Sequence, residues 1–356
     1  MSDGRRVLIW TGADPIRWSA SELDAAGLGG TETAVVRVAE ELTALGYEVG
    51  VRGDVAPLER AGVTYGPADS AELEGSAVLW LRMPDDLELL GRPAHGIAWV
   101  HDRVLAEGLT PPACERLQAV LALSAYHRRL LASRHPELAA RISIVGNGVD
   151  AERFAPAPEE PARGQRSLFN SQPERGLDVL LELWPDVRER VPGAELAYSY
   201  AAIYEEIVDR PWVAEHRRRV AELSDQPGIR ALGSLDRDAL VEEVRRARVW
   251  AHPSWASPFQ APFDELSCIA AMEAQAAGCW VVASAAGALP ETVSVGALID
   301  LEGAPGDPWR RRLLDARVAG LAEEELGERA RREGPAAMRA RSWAAVAERV
   351  AAAIEG

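Results

Sequence analysis

The stretch Phe263-Asp-Glu-Leu-Ser-Cys-Ile-Ala-Ala-Met-Glu273 carries two carboxylates, Glu265 and Glu273, eight residues apart around an apolar run that predicts a helix from Leu266 to Ala277. On such a helix Glu265 stands at the mouth and Glu273 lies about 12 Å along the axis, at about 1.5 Å per residue. The N–H groups of Leu266, Ser267, Cys268 and Ile269 would lack partners within the helix, and with the positive end of its dipole they suit phosphate oxygens. Carboxylates accept hydrogen bonds from sugar hydroxyls. Two of them flanking a cluster of N–H donors match the polarity of a nucleotide diphosphate sugar, whose hydroxyl-rich rings lie on either side of a diphosphate. The bland alternative makes Glu265 a helix cap and Glu273 a solvated surface residue.

A second candidate is Gly27-Leu-Gly-Gly-Thr-Glu-Thr-Ala34, which opens a predicted helix from Thr31 to Leu45. Gly29 and Gly30 let the backbone approach a ligand closely, and a helix start favours phosphate. Asp54 after the second predicted strand also invites a dinucleotide reading. Against it, Glu32 replaces the third glycine, and about seventeen residues separate the strand from the glycines where a tight turn is required. A loop and helix start with no ligand is the structural alternative.

Strands and helices alternate around both segments. Apolar runs predict strands at Arg5 to Trp10, Tyr47 to Arg52, Ala77 to Leu81, Gly96 to Val100, Ala119 to Ser124 and Ile142 to Val145, with helical pattern after the first. After Gly146-Asn-Gly-Val-Asp150, a stretch rich in Pro, Ala and Glu from Ala155 to Gly164 reads as a linker. A second series follows, with strands near Arg166 to Phe169, Ala194 to Tyr198, Ile229 to Leu232, Val249 to Ala251 and Trp280 to Ala283, and a closing helix from about Ser342 to Ile354. The expected class is α/β, with buried parallel strands. Asp236-Arg-Asp238 could imitate a metal-binding acid pair, but it opens a predicted helix, where acids complement the dipole.

The chain of 356 residues suits two domains, and its charge of −16 disfavours a nucleic-acid surface and a polybasic attachment to lipid. No run approaches the length of a membrane span, and Val7-Leu-Ile-Trp10 is too short for a signal-peptide core. Cys114, Cys268 and Cys279 follow no metal-binding spacing. The expectation is a cytoplasmic protein without metal or bound cofactor.

Three segments taken in order resemble the family 4 retaining glycosyltransferases of the two-Rossmann-domain type: Gly29-Gly-Thr-Glu-Thr33; Gly146-Asn-Gly-Val-Asp150; and Pro253-Ser through Glu265, Glu273-Ala-Gln-Ala-Ala-Gly278 and Gly287-Ala-Leu-Pro-Glu291. The match spans about residues 5 to 300. The resemblance implies two Rossmann-like domains facing each other across a cleft, with a C-terminal helix around Trp343 crossing back. The domains would be 1–157 plus about 340–356 on the acceptor side, and 158–339 on the nucleotide-sugar side. It implies that Gly29 and Gly30 approach the diphosphate, Glu265 binds the transferred sugar, Glu273 binds the ribose, and His101 lies near the reacting sugar.

Members of the family usually place an Arg and a Lys after the first strand of the second domain. Here Arg175 fits the Lys place and Ser171 stands near the Arg place, so one cation is absent or is replaced by another, such as Arg82 or Arg103. The segment Trp255 to Pro262 is longer than usual. The implied activity is transfer of a hexose, with a UDP-sugar the expected donor, to a soluble acceptor such as a natural product or saccharide. The leaving diphosphate would take the acceptor proton and no protein nucleophile would be needed. Two rivals stay open: a non-catalytic sugar-nucleotide-binding protein, and an NAD-dependent dehydrogenase. The oligomeric state is open.

Overall fold

Strands that read as continuous apolar runs are buried on both faces, as parallel strands covered by helices must be. In β1 (Arg6–Gly12), for example, Val7, Leu8 and Ile9 are fully buried. The structure, a computed structural model, describes residues 5–12, 17–25, 27–82, 87–103, 114–156, 163–200, 211–254, 264–300 and 307–356. The chain divides into two compact units, 1–148 with 342–356 and 149–341.

In the first unit β1 is joined by β2 (Glu48–Gly53), β3 (Leu58–Arg60), β4 (Val63–Gly66), β5 (Ala77–Trp80), β6 (His95–Trp99), β7 (Ala119–Ala122) and β8 (Ile142–Ile144). Their order across the sheet is β3-β4-β2-β1-β5-β6-β7-β8, and every pair is parallel except β3 with β4. The second unit holds β9 (Arg166–Asn170), β10 (Glu195–Ser199), β11 (Ile229–Ala231), β12 (Val249–His252), β13 (Trp280–Ser284) and β14 (Gly296–Ile299), ordered β11-β10-β9-β12-β13-β14 and parallel throughout. Each unit is thus Rossmann-like, as the pattern predicts. The β3–β4 hairpin and β14 were not expected from the pattern: β3 has three residues, two of them charged, too few for a period to show.

The chain divides at Gly148 and Val149, ahead of the Pro-rich stretch that reads as a linker. The short helix Ala151–Phe154 explains this. Phe154 is fully buried in the second unit's core, with the Arg237 guanidinium 4.9 Å from its ring, and the Val149 N–H donates to the Arg341 carbonyl at 2.8 Å. The C-terminal helix Trp343–Glu355, capped by Ser342 Oγ, packs against helix Gly30–Ala44 in the first unit. Tyr47 donates to Glu355 at 2.8 Å, and Arg349 Nε to the Val145 carbonyl at 2.8 Å. Among the described residues no helix is long and apolar enough to cross a membrane.

One residue opposes this packing. Arg317, on helix Asp307–Ala322, is 0% exposed, its NH1 donates to the Leu180 carbonyl at 3.1 Å, and its guanidinium lies 5.7 Å from the Trp184 ring. Its Nε and NH2 have no partner among the described residues, and burial lowers its pKa to about 9. A buried charge with most of its donors unpaired is destabilising. Arg317→Met, which keeps the stem and removes the charge, is therefore expected to raise stability by roughly 1–3 kcal/mol, a Tm increase of about 2–12 °C in a thermal melt.

Candidate functional site

In open α/β sheets, ligands bind beyond the carboxyl ends of the strands where the strand order reverses. In the second unit that point lies between β9 and β12. The segments leaving there begin with Asn170-Ser171 and His252-Pro253-Ser254. The first carries Arg175 in the one-turn 3-10 segment Pro173–Arg175, and the second leads to Glu265. Topology alone thus brings two of the expected catalytic residues to the position where a ligand belongs. Ser171 sits half-buried beside them, and the Trp250 Nε1–H donates to Asn170 Oδ1 at 2.5 Å, tying β12 to the end of β9.

Glu265 is a buried carboxylate, 6% exposed. Arg175 NH1 donates to its Oε1 at 2.9 Å, and His252 Nε2 lies 3.0 Å from the same oxygen. Burial pushes the carboxyl up, but the Arg175 charge and the His252 hydrogen bond outweigh it and hold the pKa down to about 2. Glu265 is therefore ionised and held in place at neutral pH, and is not a solvated cap.

Two glycines permit this assembly. Gly176 has φ 102°, and a Cβ there would fall 2.4 Å from the Pro253 carbonyl oxygen. Gly287 has φ 58°, and a Cβ there would fall 2.4 Å from the Glu265 carbonyl oxygen and 2.7 Å from its nitrogen. The Ala288 N–H then donates to that carbonyl at 2.6 Å. The segment Gly287-Ala-Leu-Pro-Glu291 is thus a clamp on the backbone of Glu265.

The helix after Glu265 begins later than expected. It spans Ile269–Ala276 with Cys268 as N-cap. Leu266 and Ser267 consequently precede it, and of the four expected phosphate-facing N–H groups only that of Ile269 belongs to its first turn. Leu266-Ser267 bends before the helix because Glu265 is already fixed by Arg175, His252 and Ala288. Glu273 lies on this helix, 4% exposed, and receives Arg237 NH2 at 2.7 Å. Arg237, whose pairing with Glu273 no local pattern signals, follows the helix cap Asp236, which accepts from the Ala239 N–H at 2.8 Å, so Asp236-Arg-Asp238 serves as a helix start. Phe263 and the segment Trp255 to Pro262 lie outside the described residues.

In the first unit the reversal lies between β1 and β5. Gly29 caps helix Gly30–Ala44 with no side-chain bond, and this helix lies on the connection from the carboxyl end of β1 to the parallel β2. Arg82 follows β5, and its Cβ lies 3.0 Å from where a Cβ on Gly12 would be. His101 follows β6, two strands from β1 and therefore about 10 Å away at the usual strand spacing. Gly29, Gly30, Arg82 and His101 thus share one carboxyl edge, and Arg82 is close enough to His101 to disfavour its protonation. Arg103 is exposed beyond it.

His101 packs edge-on against Trp99 with ring centres 4.8 Å apart, and its buried Nε2 has no partner among the described residues. Burial, then His127, then Arg82 lower its pKa to about 3. The buried His127 ring accepts from the Leu123 N–H at Nδ1 and therefore donates from Nε2 to the Asp102 carbonyl, 3.0 Å away; burial lowers its pKa to about 4. Both folded-state values lie below the unfolded value of about 6.5. The unfolded chain therefore takes up protons first, and this stability is complete above about pH 6.5 and lost progressively as pH falls toward 4 and 3. Tm is expected to drop between pH 7 and pH 5, and His101→Gln is expected to reduce that drop.

Among the described residues, two groups could hold a metal ion by spacing: Cys114, His135 and Glu137, and His252, Glu265 and Cys268. In the second, Arg175 occupies the carboxylate, and burial followed by the charge of Glu265 pushes the Cys268 thiol well above its ordinary value. In the first, burial and then Glu137 push the Cys114 thiol up to about 11.

Comparison with known proteins follows this geometry. Residues 167–325 match the family of glycosyl transferases group 1. Over 253 residues the chain is 28% identical to a phosphatidyl-myo-inositol mannosyltransferase of Mycobacterium tuberculosis, a match covering 68% of this chain and 61% of that protein, less than two thirds of its length. A glycosyltransferase from Rickettsia africae superposes with a TM-score of 0.72 at 13% identity, covering 99% of this chain and 98% of that one. Anabaena HepE, solved with UDP-glucose, gives a TM-score of 0.64 at 14% identity, covering 98% and 99%. The group 1 glycosyl transferase match thus falls within the second unit, and the chain shares the two-Rossmann-domain fold of solved glycosyltransferases.

Proposed function

We propose that this protein transfers a hexose from a UDP-sugar to a hydroxyl of a soluble acceptor, with retention of anomeric configuration and without a metal, in the cytoplasm. The observation that carries the reading is the Arg175–Glu265 pair at the strand-order reversal of the second unit: a cation suited to a diphosphate beside an ionised carboxylate suited to sugar hydroxyls. Glu273, buried beside Arg237, is the acceptor for ribose hydroxyls. The bond from the anomeric carbon to the diphosphate oxygen breaks as the acceptor oxygen adds on the same face, and the acceptor proton passes to the departing diphosphate. Arg175 and backbone N–H groups stabilise the charge that develops there.

UDP is expected to raise Tm in a thermal-shift titration, by about 2.7 kcal/mol of stabilisation at a hundredfold excess over Kd, and more than GDP, ADP, dTDP or NADH at equal concentration. No shift with any nucleoside diphosphate would remove the donor-site reading. A product assay with UDP-glucose then separates transfer from binding alone, and the anomeric coupling in its NMR spectrum tests retention. A second acceptor reading, an inositol-bearing molecule, is favoured by the name of the Mycobacterium relative. It predicts turnover with free inositol or its phosphate in the same assay.

A further inference from the structure

Among the described residues the Glu265 carboxylate is held by two donors of different character, and both end on Oε1. The Arg175 side chain is 29% exposed, whereas that of His252 is 0% exposed. His252 ends β12, and its ring stacks on Trp250, with centres 5.0 Å apart at 21°, and on Phe169, 6.0 Å apart at 25°. The Ser254 N–H donates to the His252 carbonyl at 3.0 Å, and its Nδ1 is buried with no partner among the described residues. A hydrogen bond to a carboxylate requires Nε2 to carry the proton. The ring is thus locked in position and presents a fixed N–H to Glu265.

We infer that His252 is a positioning residue, which keeps Glu265 in place while Arg175 turns to the donor's diphosphate. The inference rests on the sugar-transfer reading above. A diphosphate anion competes with Glu265 for the Arg175 guanidinium. If Arg175 were the only donor, its departure would leave a buried carboxylate unpaired, and the carboxylate would swing away or take up a proton. His252 makes neither necessary, because its N–H cannot follow the phosphate.

The test compares His252→Gln, whose amide nitrogen reaches the place of Nε2, with His252→Asn, whose amide reaches only the place of Nδ1. Each is assayed with UDP-glucose and titrated with UDP. The Gln variant is expected to keep kcat within about threefold of the wild type, and the Asn variant to lose about thirtyfold or more, a difference of about 2 kcal/mol. UDP affinity and donor KM should stay within about threefold in both, since neither variant touches the diphosphate-binding groups. A loss through packing alone would lower Tm and kcat together in both variants. Equal kcat in the two variants, with the wild type active, overturns the role of His252 and leaves the transfer reading standing. No turnover by a wild type that binds UDP overturns the transfer reading, and this inference with it.

Discussion

Glu265→Gln is expected to lower sugar transfer about 100- to 1000-fold, the usual cost of removing one preorganised electrostatic partner, while UDP binds within about threefold of its wild-type affinity. The two readouts separate because the substitution is nearly isosteric and removes charge rather than volume. A glutamine amide oxygen still accepts from Arg175 and His252, but without the negative charge that holds both donors, so the charge-assisted bonds weaken. The Arg175 side chain is 29% exposed and can turn outward, which keeps the fold intact and leaves it free for a diphosphate. Steady-state rates with UDP-glucose and a calorimetric titration with UDP check both halves. A variant with unchanged kcat would remove Glu265 from the chemistry, whatever its hydrogen bonds.

Gly287→Ala is expected to destabilise the second unit by roughly 2–4 kcal/mol, the sum of left-handed backbone strain and overpacking, and to abolish measurable transfer. The effect is large for a single methyl because the atoms it meets are main chain: the Glu265 oxygen at 2.4 Å and nitrogen at 2.7 Å. Side chains yield to a new methyl by changing rotamer, but backbone held by the Ala288 hydrogen bond must move as a segment. Glu265 would then shift relative to Arg175 and His252. Urea denaturation followed by Trp fluorescence gives the stability change. A folded, fully active variant would show that the Gly287 segment does not hold Glu265.

Several features were legible in the chain alone because they depend on local pattern. Apolar runs of four to six residues between helical stretches read as buried strands, so the parallel core of both sheets follows from them, though the β3–β4 hairpin and β14 do not. The order of the glycine segment, Arg175, Glu265 and Glu273 then puts each near the carboxyl end of its strand. The helix start at Asp236 was equally readable, since an acid that caps its own helix needs only its next three residues.

Local pattern failed where partners lie far apart in the chain. Arg175 and Glu265 are 90 residues apart, and Arg237 and Glu273 are 36 apart. Nothing in either neighbourhood says that they pair, or that His252, which reads as the last residue of an apolar strand, faces Glu265. The helix expected from Leu266 begins at Ile269 because Glu265 is pinned by those distant groups, a constraint that helix propensity does not contain. The sequence by itself determined which residues reach the carboxyl edge of each sheet, because strand periodicity is a short-range property. Only the tertiary structure decided which of them are charged, paired and fixed, because ionisation and orientation depend on desolvation and on partners met through space.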